Sequence, residues 1–155
     1  MGPAYARWTV ECLEKLGYTH DTSVTPFRNW HDIADFSKPA SLSPYHPSKG
    51  DICQTGDSAI IEVPVSITPD IQWLRPTPRF SDYEQCKKVI DWYEHNVNPT
   101  VLCCMFHNVE LVPGKNPYCK TDEDCEAMLS RVEGIFRLLQ DRNYVFQTLN
   151  EVTVS

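Results

Sequence analysis

Apolar residues recur at helical spacing in three stretches of the chain, which are residues 3–16, 81–96 and 121–140. In the first stretch, Trp8, Cys12 and Leu16 stand four residues apart, so a helix carries them on one face. Gly17 follows directly, and glycine commonly follows the last turn of a helix. In the third stretch, Thr121 and the acidic residue three positions later resemble a capping box, which marks a helix start. The pattern therefore predicts three helices.

Four shorter runs of apolar and β-branched residues alternate with these helices, at residues 18–24, 59–66, 101–106 and 144–149. Runs of this length are typical of buried strands, and Pro64 inside the second run indicates an edge position or a bulge. Alternating helices and strands predict an α/β fold with a parallel sheet of about four strands. A small doubly wound sheet and part of a β/α barrel both fit this order, because a whole barrel needs about 200 residues or more.

Residues 25–58 show no sustained hydrophobic period and predict a long loop. Several aromatic residues within it indicate an ordered loop, because disordered segments are poor in them. The loop also carries residue types that bind metals, namely His31, His46, Asp32, Asp35 and Asp51. Their spacing matches no metal-binding motif, so solvated loop side chains are the favoured interpretation.

Length, charge and cysteine content narrow the class of protein. The 155 residues suit one domain over residues 1–155, and a net charge of −7 without a basic cluster argues against nucleic-acid binding. No apolar run is long enough to cross a membrane, and the first residues lack the apolar segment of a signal peptide. Seven cysteines without a C-x-x-C spacing support neither a zinc ribbon nor a thioredoxin-like motif. They fit a reducing compartment such as the cytoplasm, and the sequence points to no compartment more closely.

His107 is the residue that most suggests chemistry. It ends the unbroken apolar run 101–106, and the polar residues Asn108 and Glu110 follow. In parallel α/β proteins the site lies beyond the carboxyl ends of the strands, where this histidine falls. An imidazole gains or loses a proton near neutral pH, which suits general acid or base catalysis. The alternative is a histidine that caps the strand through a hydrogen bond.

Several stretches, taken in order, resemble the polysaccharide deacetylase (NodB-like) family. The family's final motif, an apolar strand that ends in a histidine, resembles V-L-C-C-M-F-H-N-V-E-L at residues 101–111. Its last strand resembles N-Y-V-F-Q-T-L-N-E-V at residues 143–152, and the acid-capped helix lies between the two. Earlier helix and strand units resemble L-E-K-L-G-Y-T-H-D-T-S-V-T-P at 13–26 and A-I-I-E-V-P-V-S at 59–66. The family has a distorted seven-stranded β/α barrel, so the resemblance implies a partial barrel with about four parallel strands and three helices.

The resemblance also implies a chemistry. The family removes acyl groups from amino sugars with a divalent metal, often zinc, so an acylated amino-sugar polymer or oligomer is the expected partner. By this resemblance His107 is the general acid that protonates the departing sugar amine. Met105 lies two residues earlier, on the same face of the strand, and matches an apolar residue that lines the acyl pocket. Trp30 and Trp73 are the expected sugar-stacking aromatics, with packing as the alternative role for each.

The early motifs of the family do not occur in this sequence. The family's T-F-D-D strand end and H-x-x-x-H helix supply the base and the metal ligands, and no two histidines here stand four apart. The resemblance therefore covers the C-terminal part of the domain, as in a truncated product or a stand-alone remnant. We expect the chain alone to bind no catalytic metal and to hydrolyse nothing.

The sequence supports three hypotheses about function. The first is a deacetylase-like protein, and the second is a non-catalytic carbohydrate-binding or interaction module. The third, a thiol or metal protein, lacks a supporting motif. An incomplete barrel leaves strand edges and apolar helix faces uncovered, which predicts self-association.

Overall fold

The computed structural model describes residues 4–31, 33–78 and 80–154, with side chains from residue 8 onward. These residues contain three helices and four short strands. The helices are α1 (Ala4–Lys15), α2 (Tyr83–Asn96) and α3 (Asp122–Asp141). The strands are β1 (His20–Asp21), β2 (Pro47–Ser48), β3 (Asp51–Thr55) and β4 (Ile61–Glu62). Short 3-10 turns span Asn108–Leu111 and Leu149–Glu151. The mixed α/β class and the three helices are confirmed, while Pro3, the predicted first helical residue, lies outside the described residues.

Hydrogen bonds at the helix ends explain where the helices begin and stop. Asp82 caps α2, because its side chain accepts from the Gln85 backbone N–H and the Gln85 side chain accepts from the Asp82 backbone N–H. Thr121 and Asp124 form the same reciprocal box at the start of α3, as predicted. Gly17 has a φ of 80°, which a residue with a side chain rarely adopts, and it ends the turn that follows α1.

The strands pair in two separate two-stranded sheets. β1 runs parallel to β4, with Asp21 opposite Glu62, and β2 runs antiparallel to β3. The predicted parallel sheet of about four strands is therefore not formed among the described residues, and no barrel closes. The predicted loop 25–58 is wrong in part, because it contains β2 and β3. A turn that includes Gly50 joins them into a hairpin that is too short to show a hydrophobic period.

The run 101–106 lies beside the residues that follow β4 but is not a strand. The Ser66 N–H donates to the Cys103 carbonyl at 3.1 Å, and the Ser66 hydroxyl accepts from the Cys103 N–H at 2.9 Å. Because the Ser66 hydroxyl accepts this hydrogen bond in place of a backbone carbonyl, the backbone pairing between the two segments does not continue past Ser66. The Met105 N–H then donates to the Leu74 carbonyl at 3.2 Å, so a third segment pairs with the end of the run.

The last predicted strand, residues 144–149, is also absent. Thr148 and Glu151 form a capping box that opens a 3-10 turn, which ends the extended backbone early. No backbone hydrogen bond joins residues 145–147 to any other described residue. A cavity of about 450 Å³ lies between this segment and residues 100–104. The edge of the fold is therefore unpaired here.

The apolar faces of α2 and α3 pack against each other. Their shared core contains the buried helix residues Cys86, Val89, Ile90, Tyr93, Ile135 and Leu139. Phe136 of α3 lies outside this core, because it is 40% exposed and packs edge-on against Phe146, with ring centroids 5.4 Å apart. None of the helices in the described part of the chain is long and apolar enough to cross a membrane.

Candidate functional site

His107 lies at the start of a 3-10 turn that brings a carboxylate onto its ring. The Glu110 N–H donates to the His107 carbonyl at 2.9 Å and closes the turn. In a 3-10 turn the side chains at positions i and i+3 eclipse each other. Glu110 is therefore placed with its Oε1 at 3.0 Å from the Nδ1 of His107. The turn, rather than a distant part of the fold, builds this pair.

Glu110 is held in the interior by two further groups. Its side chain is 1% exposed, and Oε1 accepts a hydrogen bond from Nη2 of Arg75 at 2.5 Å. The Thr77 hydroxyl donates to Oε2 and also accepts from Nε of Arg75 at 3.1 Å. Burial by itself raises the pKa of the Glu110 carboxyl. The hydrogen bonds from Thr77, His107 and Arg75 outweigh burial and leave the pKa below its ordinary value, so Glu110 is ionised at neutral pH.

Two aromatic rings enclose Arg75. Its guanidinium carbon lies 3.8 Å from the ring centroid of Phe80 and 5.8 Å from that of Tyr118. Stacking of this kind favours a guanidinium over other cations and excludes water from its faces. The ion pair with Glu110 is consequently rigid, and the carboxylate keeps a fixed position under His107.

The ionised carboxylate determines which nitrogen of His107 faces the solvent. Glu110 can only accept hydrogen bonds, so Nδ1 carries the proton that it shares with Glu110, a tautomer assigned from the hydrogen-bond network. Arg75 Nη2 lies 3.3 Å from the same nitrogen, farther than Oε1. The His107 side chain is 62% exposed, and Nε2 points away from the pair. Nε2 is thus the nitrogen available to a ligand.

An unbroken series of aromatic contacts leads from this pair to the predicted tryptophans. The ring centroids are 5.3 Å apart for Phe80 and Tyr118, 6.2 Å for Trp73 and Phe80, and 6.5 Å for Trp30 and Trp73. Each contact is edge-on, which is the favoured arrangement of aromatic rings. Arg75 lies against Phe80, so the series ends at the Glu110–His107 pair. The fold therefore connects Trp30 and Trp73 with His107.

Met105 lies in the same region. It packs, partly buried, against a cluster formed by Val65, Ile67 and Trp73. Trp73 is 7% exposed and offers little surface of its own, whereas Trp30 is 37% exposed. All four residues singled out in the sequence thus belong to one contiguous part of the molecule. Trp30 and His107 are its exposed members, whereas Trp73 is buried and Met105 is partly buried.

Trp30 stands on a small hairpin within the long loop. The Phe27 N–H donates to the Phe36 carbonyl at 2.9 Å, and the Trp30 N–H donates to the Ala34 carbonyl at 2.7 Å. The indole Nε1–H donates to the Thr25 hydroxyl at 2.7 Å, which fixes the ring. Phe27 has a φ of 64°, an uncommon conformation for a residue with a side chain. The loop is ordered here because its own backbone bonds hold it.

The histidines and carboxylates of the long loop do not converge. Asp35 accepts from the Ser37 N–H and Asp51 accepts from the Cys53 N–H, both at 2.9 Å, as in local turns. His46 Nδ1 lies 3.0 Å from the Ile60 carbonyl. Asp32 lies outside the described residues. Among the residues that the structure describes, no three histidine, cysteine or carboxylate side chains are grouped so that they could hold a metal ion.

Sequence reasoning missed three members of the site, namely Arg75, Thr77 and Glu110. Glu110 had a usable signal, because a glutamate three residues after a strand-ending histidine falls on the same side of a single turn. Arg75 and Thr77 lie in a proline-rich connector without periodicity, and nothing in their spacing points to Glu110. Their role depends on how the connector folds back over the turn.

Comparisons with protein-family models, with curated proteins and with solved structures found no match to this chain.

Proposed function

We propose that the chain is a polysaccharide deacetylase-like protein that binds acylated amino-sugar polymers and holds His107 as a proton donor at the sugar nitrogen. The observation that carries the proposal is the orientation of His107. A buried, ionised Glu110 holds its Nδ1, its side chain is 62% exposed, and a series of ring contacts through Trp73 and Phe80 joins the pair to Trp30. A histidine that merely caps a strand needs neither a buried carboxylate nor the Arg75 ion pair behind that carboxylate.

The chemistry of amide cleavage explains the value of such a donor. An amine leaves very unfavourably as its anion, so a proton must reach the nitrogen as the carbon–nitrogen bond breaks. A protonated His107 donates that proton from Nε2. Glu110 stabilises the charged ring before transfer and keeps it oriented afterwards. Met105, which packs partly buried against Trp73, supplies an apolar surface for the acyl group.

The parent reaction of the family uses a divalent metal, which polarises the acyl carbonyl and activates water. The described residues do not fit that requirement, because they offer no group of three ligands. The sequence also lacks the two early motifs that supply the base and the metal ligands in the family. We therefore expect this chain alone to bind the glycan without hydrolysing it.

We further propose that the fold is a partial β/α barrel. Residues 18–24, 60–66 and 101–105 lie side by side in this order, joined by the hydrogen bonds Val63 N–H to Asp21 carbonyl and Ser66 N–H to Cys103 carbonyl. Helix α1 precedes the first run, α2 lies between the second and the third, and α3 follows the third, as in a β/α repeat. The parallel β1–β4 pair supports this assignment, although the other runs do not form ladders.

The second candidate is a non-catalytic carbohydrate-binding module. The half-exposed Trp30, which lies edge-on to Trp73, favours it, because a fixed indole offers a stacking surface without any chemistry. In this case the binding of sugar does not depend on His107.

Binding of two matched oligosaccharides tests the proposal. Chitotetraose carries an acetamide on each sugar, and cellotetraose carries a hydroxyl in the same position. We expect tighter binding of chitotetraose by calorimetry, loss of both affinities in Trp30→Ala, and loss of the preference in His107→Ala. Equal affinities for the two sugars in the unaltered chain contradict the proposal.

Acetate release separates the two candidates. The chain is dialysed against zinc, its metal content is measured by elemental analysis, and acetate release from chitotetraose is then followed. Binding without bound zinc or acetate release agrees with our expectation for this chain alone. One bound zinc with acetate release that is lost in His107→Ala shows an active deacetylase. Chitotetraose affinity that His107→Ala leaves unchanged favours the non-catalytic module.

A further inference from the structure

Three buried side-chain atoms have no hydrogen-bond partner in the described structure: Asp21 Oδ2, Glu62 Oε2 and Arg28 Nε. Buried polar groups are normally paired, so each exception needs an explanation. Asp21 stands opposite Glu62 across the β1–β4 pair, and burial and the charge of Asp21 raise the pKa of Glu62 to about 8, so a proton held on Glu62 explains these two atoms. Nε of Arg28 is therefore the one atom of the three for which the described residues offer no hydrogen-bond partner.

Among the described residues, no carboxylate forms an ion pair with the Arg28 side chain. Three other arginines pair with carboxylates, Arg75 with Glu110, Arg137 with Glu133, and Arg142 with Asp91 and Glu94. No described residue accepts a hydrogen bond from the Arg28 side chain or forms an ion pair with it. The chain carries a net charge of −7, so carboxylates are plentiful. Because Arg28 is half-buried, its side chain is open to an anion from outside the chain.

Arg28 lies next to the exposed tryptophan of the proposed glycan surface. Its guanidinium carbon is 5.0 Å from the Trp30 ring centroid. Both residues belong to the hairpin that the Phe36 N–H to Arg28 carbonyl bond closes at 2.7 Å. The hairpin therefore holds the Arg28 guanidinium close to the Trp30 ring, at the Trp30 end of the aromatic series.

We propose that Arg28 binds the carboxylate of an acidic sugar, of the uronic-acid type, in a polymer that also contains acylated amino sugars. This inference rests on the proposed function and specifies its substrate class. The planar guanidinium matches a carboxylate through two parallel hydrogen bonds. The apolar face of the same or the next sugar ring stacks on Trp30. A neutral sugar uses the tryptophan and leaves the arginine unpaired.

Two hexasaccharides that share N-acetylglucosamine test this inference. Hyaluronan hexasaccharide alternates N-acetylglucosamine with glucuronate, whereas chitohexaose contains no acid. We expect hyaluronan to bind about tenfold more tightly by calorimetry, the size of one charge-assisted hydrogen bond. Arg28→Gln removes this difference and leaves the affinity for chitohexaose unchanged. Arg28→Lys retains part of the difference, because lysine keeps the charge and loses the planar fork.

A matched control removes the same charge elsewhere. Arg137→Gln lies on the exposed side of α3, pairs with Glu133, and is expected to leave the preference for hyaluronan intact. Equal binding of the two hexasaccharides overturns this inference and leaves the proposed function standing. A hexaglutamate peptide that binds as tightly as hyaluronan also overturns it, because the site then recognises acid without sugar. Failure of both hexasaccharides to bind overturns the proposed function as well.

Discussion

The Nδ1 of His107 lies 3.0 Å from Oε1 of Glu110, although 62% of the histidine side chain is exposed and only 1% of the glutamate side chain is. The pair therefore spans the boundary between solvent and interior. Its inner member cannot move without disturbing Arg75, and its outer member can reach a ligand. This combination of a fixed carboxylate and an accessible ring distinguishes His107 from a histidine on an ordinary loop.

The tautomer of His107 is the first consequence that can be measured. The hydrogen bond to Glu110 requires the proton of the neutral ring to reside on Nδ1. We expect nitrogen-15 NMR at a pH where the ring is neutral to show a protonated Nδ1 and an unprotonated Nε2. The Glu110→Ala variant should lose this bias, because most free imidazoles prefer a proton on Nε2. A proton on Nε2 in the unaltered chain contradicts the assigned geometry.

Removal of the Glu110 charge should destabilise the fold. Glu110→Gln keeps the shape of the side chain but leaves the buried Arg75 cation without its anion. Breaking a buried ion pair by removing one partner costs about 3 kcal/mol or more. Urea unfolding followed by tryptophan fluorescence measures the loss. Glu133→Gln, which breaks an exposed pair with Arg137, serves as the control and should change stability little. Similar losses in the two variants argue against a rigid Arg75–Glu110 pair.

The contribution of Glu62 to stability should fall as the pH rises from acid to mildly alkaline values. Burial beside Asp21 raises the pKa of Glu62 from 4.5 to about 8, so the folded chain keeps a proton that the unfolded chain loses. The contribution is complete below pH 4.5 and is lost progressively as the pH rises to about 8, where the folded carboxyl also ionises. Over this pH range, the contribution of Glu62 to the free energy of unfolding falls by an amount on the order of a few kcal/mol.

The Glu62→Gln variant isolates this effect. Glutamine can still accept from the Val24 N–H, as Glu62 Oε1 does at 2.9 Å, and it can donate to Asp21. Its urea stability should therefore change much less between pH 5 and pH 8 than that of the unaltered chain. Parallel pH profiles for the two proteins show that the proton is not held at Glu62.

Self-association should involve the unpaired segment at residues 145–147. Its backbone makes no hydrogen bond to other described backbone, Val145 is 80% exposed, and Phe146 is 50% exposed. An open, apolar edge of this kind tends to pair with another chain. We propose that a second copy covers it, and light scattering should show a concentration-dependent dimer. Val145→Lys should shift the chain toward monomer, whereas Val112→Lys, at a site 44% exposed elsewhere, should not. A monomer at all concentrations contradicts this prediction.

Helix positions could be predicted from the sequence because their causes are local. The capping box of Thr121 and Asp124 and the positive φ of Gly17 depend on neighbouring residues, and both were recognised in advance. Strand pairing depends on partners that are distant in the sequence. No local sequence pattern predicts that the Ser66 hydroxyl replaces a backbone carbonyl opposite Cys103 and ends the strand pairing.

The same distinction applies to the site. His107 was recognisable because it ends an apolar run, and Met105 because it shares a face with that histidine. Arg75 contacts a residue 35 positions later in the chain, so only the folded structure reveals it. Trp73 was expected to touch sugar, but the fold buries it, and the free guanidinium of Arg28 beside Trp30 had no sequence signal.

The most direct test of the central claim is an NMR titration of the labelled chain with chitotetraose. We predict that the Trp30 indole N–H and the His107 ring signals shift together and saturate at one ligand concentration. The indole N–H of Trp92, on α2, should stay unchanged. Shifts that leave His107 unaffected, or that map to α2 instead, contradict the claim that His107 and Trp30 form one glycan-binding surface.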